Sequence, residues 1–147
     1  MVSNRFFLKK GPYPLKEIIN KISCINNISN MESLKINGIE SLDKAGKNDI
    51  TFLNSIKYKD ISLKTNASAC ITSENLSQFL PQKCLKLNVK NILYAVTQVS
   101  KMFYPEADID LPDSNLSDSE KLKKFYPDVN FGKNVMIGKN VEIGKNS

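Results

Sequence analysis

Histidine and tryptophan are absent from the 147 residues, and arginine occurs once among 21 basic residues. Without histidine, the chain holds no Ser-His-Asp or Cys-His pair, no HExxH zinc motif and no histidine general base. No apolar run approaches the roughly 20 residues of a membrane-spanning helix. The apolar run Phe6-Phe7-Leu8 is too short for the core of a signal peptide. We therefore expect a cytoplasmic protein with no transmembrane segment.

Cysteine is scarce, and its count of three is odd. Cys24, Cys70 and Cys84 each have aliphatic neighbours, and the chain contains no CxxC pair. This usage indicates reduced thiols that pack as small apolar residues in a cytosolic protein. We predict neither a metal site nor a cofactor.

The net charge of +6 comes from a lysine-rich composition, with 20 Lys, 17 Asn and 15 Ile in the chain. This combination indicates a drift of the genome towards AT-rich codons. A surface selected to bind nucleic acid would use more arginine, because its planar fork suits phosphates and bases. The basic residues are also scattered singly, so we expect no nucleic-acid partner.

Two segments have the apolar spacing of amphipathic helices. Between Pro14 and Cys24, aliphatic residues recur at i, i+3, i+4 and i+7, with the proline at the first turn. Between Asn91 and Phe103 a second apolar face follows, with Asn91 as the expected cap and Pro105 as the stop. These two segments are predicted to be helices that cover a sheet.

Strand patterns lie between the two helices and predict an α/β (α+β) domain with a mixed sheet over residues 1–105. Ser33–Leu53 reads as strand, turn and strand, with Gly38 and Gly46 as interruptions. Ala67–Thr72 and Cys84–Val89 are two further predicted strands. Between Glu106 and Glu120 the chain contains six acidic residues and no lysine or arginine. This composition indicates an acidic, polar linker over residues 106–124.

The last segment, residues 125–147, repeats every six residues. Three hexads in succession begin Phe131-Gly-Lys-Asn, Ile137-Gly-Lys-Asn and Ile143-Gly-Lys-Asn. A period of six with two apolar positions is typical of a β-solenoid, in which each hexad forms a short strand followed by a corner. The openers and the valines at the fifth place, Val129, Val135 and Val141, are predicted to point inward. Gly and Asn suit the corner because both accept positive φ angles.

Solenoid coils stack about 4.8 Å apart, and about three repeats or more are needed to bury a core. Four hexads, counting Phe125–Asn130 before the three named above, form little more than one coil. We therefore expect the chain to be the amino-terminal fragment of a longer protein.

Taken together, these segments resemble the family of UDP-3-O-(3-hydroxyacyl)glucosamine N-acyltransferases, which add the second acyl chain in lipid A biosynthesis. The resemblance rests on four stretches: Ile36–Leu53, with the sequence INGIESLDKAGKNDITFL; Lys57-Tyr58 with the small-residue strand Ala67–Ile71; Val89–Ala95 leading to Phe103-Tyr-Pro; and the hexads.

The resemblance implies a small α/β domain that binds uridine, followed by a left-handed parallel β-helix, in a homotrimeric bacterial enzyme. Its substrates would be UDP-3-O-acylglucosamine and a 3-hydroxyacyl chain on acyl carrier protein. The family's general base is a histidine of the β-helix. We therefore expect it beyond Ser147 and assign no catalytic residue to this chain.

The family holds uracil with a motif like Phe-Leu-x-Asn-Pro-Lys-Tyr, and here the corresponding segment is FLNSIKY, residues 52–58. The resemblance implies that Phe52 and Tyr58 form an aromatic clamp. Ser55 stands at the family's Asn position and Asn54 one place earlier, so either residue would contact the base. The residues alone also allow a simpler interpretation, with Phe52 in the core and Tyr58 as a half-buried surface ring.

Two alternatives remain open at this stage. One is a non-catalytic uridine-nucleotide-binding domain attached to another hexapeptide-repeat transferase. The other is a hexapeptide transferase that acts on a different nucleotide-activated sugar.

Overall fold

The structure is a computed structural model that describes residues 7–26, 28, 33–108, 111–116, 118–139 and 141–147. The chain divides into two compact units, Lys9–Pro105 and the remainder formed chiefly by Glu106–Ser147. In the larger unit, β1 (Tyr13–Pro14) pairs antiparallel with β2 (Lys35–Ile36) in a small separate sheet.

The main sheet has four parallel strands in sequential order. They are β3 (Gly38–Ile39), β4 (Asp49–Phe52), β5 (Ala69–Thr72) and β6 (Leu85–Asn88). The α/β class is thus confirmed, with an antiparallel and a parallel sheet. Gly38 was predicted to interrupt a strand but lies within β3, opposite Asp49. The interruption falls at Asn37, where the chain leaves one sheet for the other.

Two longer helices, α1 (Leu15–Ile22) and α4 (Ile92–Phe103), occupy the predicted segments. α1 follows Pro14 directly and ends at Ser23, which has a positive φ. α4 begins as predicted, because the side chain of Asn91 accepts a hydrogen bond from the Tyr94 amide at 3.0 Å. The shorter helices α2 (Lys59–Ser62) and α3 (Glu74–Ser77) lie in the connections between strands.

Side chains along the parallel strands point alternately to the two faces of the sheet, and each face contributes to a separate apolar cluster. Ile50, Ala69, Ile71 and Leu87 join the buried residues of α1 and α4 in the larger cluster. Cys70 and Leu53 belong instead to a smaller cluster with Leu80, Cys84, Ala45 and Ala67. The sheet therefore carries apolar contacts on both faces, as parallel sheets do.

The free edge of β6 is covered by a side-chain amide rather than by another strand. Asn26 donates from Nδ2 to the Lys86 carbonyl at 2.8 Å and accepts from the Asn88 amide at 2.9 Å. The neighbouring Ile25 amide donates to the Asn88 carbonyl at 2.8 Å. Asn26 thus satisfies the backbone groups that an edge strand leaves open.

In the second unit, the predicted linker contains a helix. α5 (Ser119–Phe125) begins after Asp118, whose carboxylate accepts from the Lys121 amide at 2.8 Å. The acidic, polar linker predicted over residues 106–124 thus includes most of a short helix. The apolar pattern gives no signal there, because α5 buries only Leu122. Phe125, which opens the first six-residue unit of the predicted repeat, ends α5 and is exposed.

The other hexads place their openers as predicted. Ile137 is buried, and Phe131 and Ile143 pack against it together with Leu116 and Leu122. Val135 and Val141, which were predicted to point inward, are instead exposed. Within the described residues of this unit no regular strand forms, and one isolated bridge joins Pro112 to Gly138. In a solenoid, strands form and side chains become buried by contact with neighbouring coils. These residues span only about one coil, so they lack such a neighbour.

Asparagine makes the corners of the hexads. Asn134 and Asn146 have φ angles of 58° and 61°, so the predicted positive φ is confirmed for these two positions. Asn140, the third member of the series, lies outside the described residues. The Asn146 amide donates to the Asp128 carbonyl at 3.0 Å, a contact between residues 18 positions apart.

Two buried threonines on neighbouring strands differ in hydrogen bonding, which gives a matched test. The Thr72 hydroxyl donates to the Leu53 carbonyl at 3.2 Å, whereas the fully buried Thr51 hydroxyl has no hydrogen-bond partner among the described residues. We expect Thr51→Val to raise the free energy of unfolding by about 1 kcal/mol and Thr72→Val to lower it by about 1 kcal/mol. Urea denaturation measures both; a loss of stability in Thr51→Val would contradict the assignment.

Candidate functional site

The predicted site begins at the last residue of β4. Phe52 pairs with Ile71 of β5, and its half-buried side chain packs against the larger apolar cluster. The alternation along β4 places the next residue, Leu53, in the smaller cluster. Phe52 therefore belongs in part to the core, which restricts its ring to a fixed position at the end of the strand.

Two hydrogen bonds fix the direction in which the chain leaves β4. The Leu53 amide donates to the Ile71 carbonyl at 2.9 Å, and the Leu53 carbonyl accepts from the Thr72 hydroxyl at 3.2 Å. Both polar groups of Leu53 are thus held by β5. The residues that follow start from a rigid point on the sheet.

Beyond Leu53 the chain forms a short 3-10 helix, Ile56–Tyr58, capped by Ser55. The Ser55 hydroxyl oxygen accepts from the Lys57 amide at 3.3 Å, and the Ser55 carbonyl accepts from the Tyr58 amide at 3.2 Å. Asn54 is exposed, and Tyr58 is 49% exposed. Ser55 thus positions the turn that carries Tyr58.

The four predicted residues lie in one continuous segment, but the two aromatic rings do not touch. Among the described residues, close ring pairs in the larger unit are limited to Tyr13 with Phe103. A base inserted between two rings holds them about 7 Å apart, roughly twice a carbon van der Waals separation. Separate rings are compatible with a clamp, whose closure on uracil stays a prediction.

The segment follows the carboxyl end of a parallel strand, the usual place for ligands in open α/β sheets. At the same edge, Thr72 ends β5 and Asn88 ends β6, opposite each other in the ladder. The buried Oδ1 of Asn88 has no hydrogen-bond partner within the described structure. Sequence reasoning missed Asn88, since an asparagine at a strand end does not stand out among 17.

The segment 33–102, which contains this site, matches the family described as UDP-3-O-(3-hydroxymyristoyl) glucosamine N-acyltransferase, LpxD. Over these residues the chain is similar to this N-acyltransferase family. The resemblance stated from the sequence is thereby confirmed. Phe52 and Tyr58 both lie within the matched residues.

Similar proteins from several bacteria share the name UDP-3-O-acylglucosamine N-acyltransferase. The chain is 30% identical over 105 residues to a UDP-3-O-acylglucosamine N-acyltransferase of Rickettsia prowazekii (strain Madrid E). It is 32% identical over 104 residues to one of Rickettsia rickettsii (strain Sheila Smith), and 30% identical over 106 residues to one of Parvibaculum lavamentivorans. These matches cover 71–72% of this chain, whereas the chain spans about 30% of the length of these relatives.

Neither an activated thiol nor a cluster of metal ligands accompanies this segment in the described part of the chain. Groups of three or more potential metal ligands are absent there. Burial raises the pKa of the Cys84 thiol to about 11 and that of Cys70 further still. Burial also raises the pKa of Cys24, against hydrogen bonds that lower it. Thiols of raised pKa are poor nucleophiles, so the cysteines serve packing.

The three thiols are expected to differ in their reaction with a disulfide reagent at pH 8. Cys24 is partly exposed and is expected to react first, whereas Cys70 and Cys84 are buried and should react only after unfolding. Because their pKa values are raised, the native rates should increase with pH over the whole range from 7 to 9. Peptide mass spectrometry after labelling identifies the sites, and Cys24→Ser should abolish the native reaction. Rapid native labelling of Cys70 would contradict the packing.

Proposed function

We propose that the chain supplies the UDP-sugar-binding part of an N-acyltransferase of lipid A biosynthesis. The enzyme would move a 3-hydroxyacyl chain from acyl carrier protein to the 2-amine of UDP-3-O-acylglucosamine. One observation carries the proposal: within the matched segment, Phe52 ends a parallel strand and Tyr58 ends the 3-10 helix that follows it. Their spacing is that of the aromatic pair in the motif which the resemblance implies. The names of the relatives specify the same acceptor sugar.

In this proposal uracil stacks between the rings of Phe52 and Tyr58. Each base–aromatic contact contributes about 1–3 kcal/mol, by analogy with single-strand binding. Phe52 is the fixed wall because it packs in the core, and the half-exposed Tyr58 is the outer wall. Ser55 keeps a hydroxyl hydrogen to donate to a uracil carbonyl while its oxygen caps the turn. The exposed Asn54 amide offers both a donor and an acceptor to the imide edge.

The proposed organisation assigns residues 1–105 to uridine binding, 106–124 to a connection and 125–147 to the start of a left-handed β-helix. The contact between Asn146 and Asp128 supports the last assignment, because 18 residues equal three hexads and thus one coil. The Asn130 amide, which donates to the Ser147 carbonyl at 3.1 Å, supports the same return of the chain. We further propose a homotrimer in the cytoplasm. In the described residues, no helix has the length and apolarity to cross a bilayer.

A second candidate is a uridine-nucleotide-binding module without acyl transfer. It rests on the same aromatic pair, and the 147 residues themselves contain no histidine that could serve as the general base implied by the resemblance. Both candidates place uridine at the same aromatic pair. They differ only in whether acyl transfer follows.

The aromatic clamp predicts a specific pattern of UDP affinities. Tyr58→Ala is expected to weaken binding of UDP about ten-fold or more, because one stacking contact is lost. Tyr58→Phe keeps the ring and should bind nearly as the original chain does. Phe125→Ala, which removes an exposed ring from the other unit, is the matched control. Isothermal titration calorimetry measures the affinities; an unchanged Kd for Tyr58→Ala would refute the clamp.

Acyl transfer distinguishes the two candidates. The 147-residue chain is expected to bind UDP and to transfer no acyl group. A chimera of this chain with the part of the Rickettsia prowazekii relative that follows the matched residues should transfer a 3-hydroxyacyl chain from acyl carrier protein to UDP-3-O-acylglucosamine. Mass spectrometry of the product detects transfer. A chimera that binds UDP yet transfers nothing would favour the binding module.

A further inference from the structure

The segment Ile56–Lys64 has an inverted distribution of apolar side chains. Every residue in it is exposed except Ser62, which is fully buried. Its four large apolar residues are 45–57% exposed, namely Ile56, Tyr58, Ile61 and Leu63. A surface helix normally turns its apolar side towards the core. Here a serine faces inward and the aliphatic side chains face out, a pattern that marks an interaction surface.

Ser62 holds this segment firmly to the domain. Its hydroxyl donates towards two carbonyl oxygens, that of Lys59 at 2.8 Å and that of Phe79 at 2.9 Å. The buried Thr65 closes the segment, with its amide donating to the Ser62 carbonyl at 3.3 Å. The exposed apolar side chains therefore stand on a fixed support rather than on a loose loop.

Lysines alternate with the apolar residues. Lys57, Lys59 and Lys64 are exposed, and Asp60 is the only acidic residue among them. In the part of the chain that the structure describes, none of these three lysines forms an ion pair. The segment thus presents apolar side chains with a net positive charge of two.

We propose that Ile56–Lys64 binds peripherally to an anionic lipid surface. The charge is complementary to anionic headgroups, and long lysine side chains can extend to them while the aliphatic groups enter the interface. The exposed apolar residues are interspersed with lysines along this short segment, with Ser62 alone buried. A fluid lipid interface accepts such a surface, whereas a protein partner needs a complementary shape. The segment shares Tyr58 with the proposed nucleotide site. The tests therefore alter neither Phe52 nor Tyr58, so that UDP binding and lipid binding can be measured separately.

The test is sedimentation of the whole chain with two kinds of vesicle, phosphatidylglycerol with phosphatidylethanolamine and phosphatidylcholine alone. We expect binding to the anionic vesicles that weakens with added salt. The variant Lys57→Gln/Lys59→Gln/Lys64→Gln should bind about 100-fold more weakly, because each lysine near such a surface contributes roughly five-fold. The control Lys16→Gln/Lys21→Gln/Lys35→Gln removes the same charge from exposed positions elsewhere. It should bind nearly as well as the original chain.

A second pair of variants tests the apolar contribution. Ile61→Ser/Leu63→Ser should lower vesicle binding about ten-fold, whereas Leu93→Ser/Tyr94→Ser alters similarly exposed residues of α4 and should have little effect. Circular dichroism checks the fold, and UDP affinity measured in parallel reports separately on the nucleotide site. The proposal is overturned if the original chain does not sediment with anionic vesicles, or if the two lysine variants lose binding equally. Capture of an acidic protein by this segment without vesicle binding would overturn it as well.

Discussion

The hydrogen bonds that β5 makes to Leu53 determine where the candidate site stands. The Leu53 amide and carbonyl are both engaged, by Ile71 and Thr72, at the point where the chain leaves β4. The residue before this point is half-buried in the core, and most of the residues after it are exposed. The same two contacts therefore fix a rigid aromatic wall on one side and orient an exposed helical turn on the other. The nucleotide proposal and the lipid proposal both depend on that orientation.

Local patterns were sufficient to predict the two longer helices and the approximate positions of the main strands. For α4, the spacing of the apolar residues and the Asn91 cap act within a few residues, so they are visible in the sequence. Partner choice is different, because strand pairing joins segments far apart in the chain. Nothing near Ile36 indicates that β2 pairs with β1, while β3, two residues on, pairs with β4. The bonds of Asn26 to β6 span about 60 residues and are equally invisible.

In the candidate site, too, local features could be predicted from the sequence, whereas features that depend on the folded structure could not. The motif over residues 52–58 predicted the aromatic pair, which stays a prediction, and the strand pattern over Ser33–Leu53 ended within one residue of the observed end of β4 at Phe52. Sequence reasoning could not find that the Ser55 hydroxyl caps a 3-10 helix, or that Asn88 has a buried oxygen without a partner. In the hexads, the period identified the packed openers but not the exposure of Val135 and Val141. Whether a side chain in a repeat is buried depends on the repeats stacked on either side of it.

The covered edge of β6 limits how copies of this domain can associate. With Asn26 occupying the hydrogen-bonding groups of Lys86 and Asn88, that edge offers little to a strand from another molecule. At the opposite edge, β3 has only two residues, too few to hold a partner strand. Assembly through the four-stranded sheet is therefore disfavoured, which leaves the exposed lysines and aliphatic side chains of its helices and loops as contact surfaces.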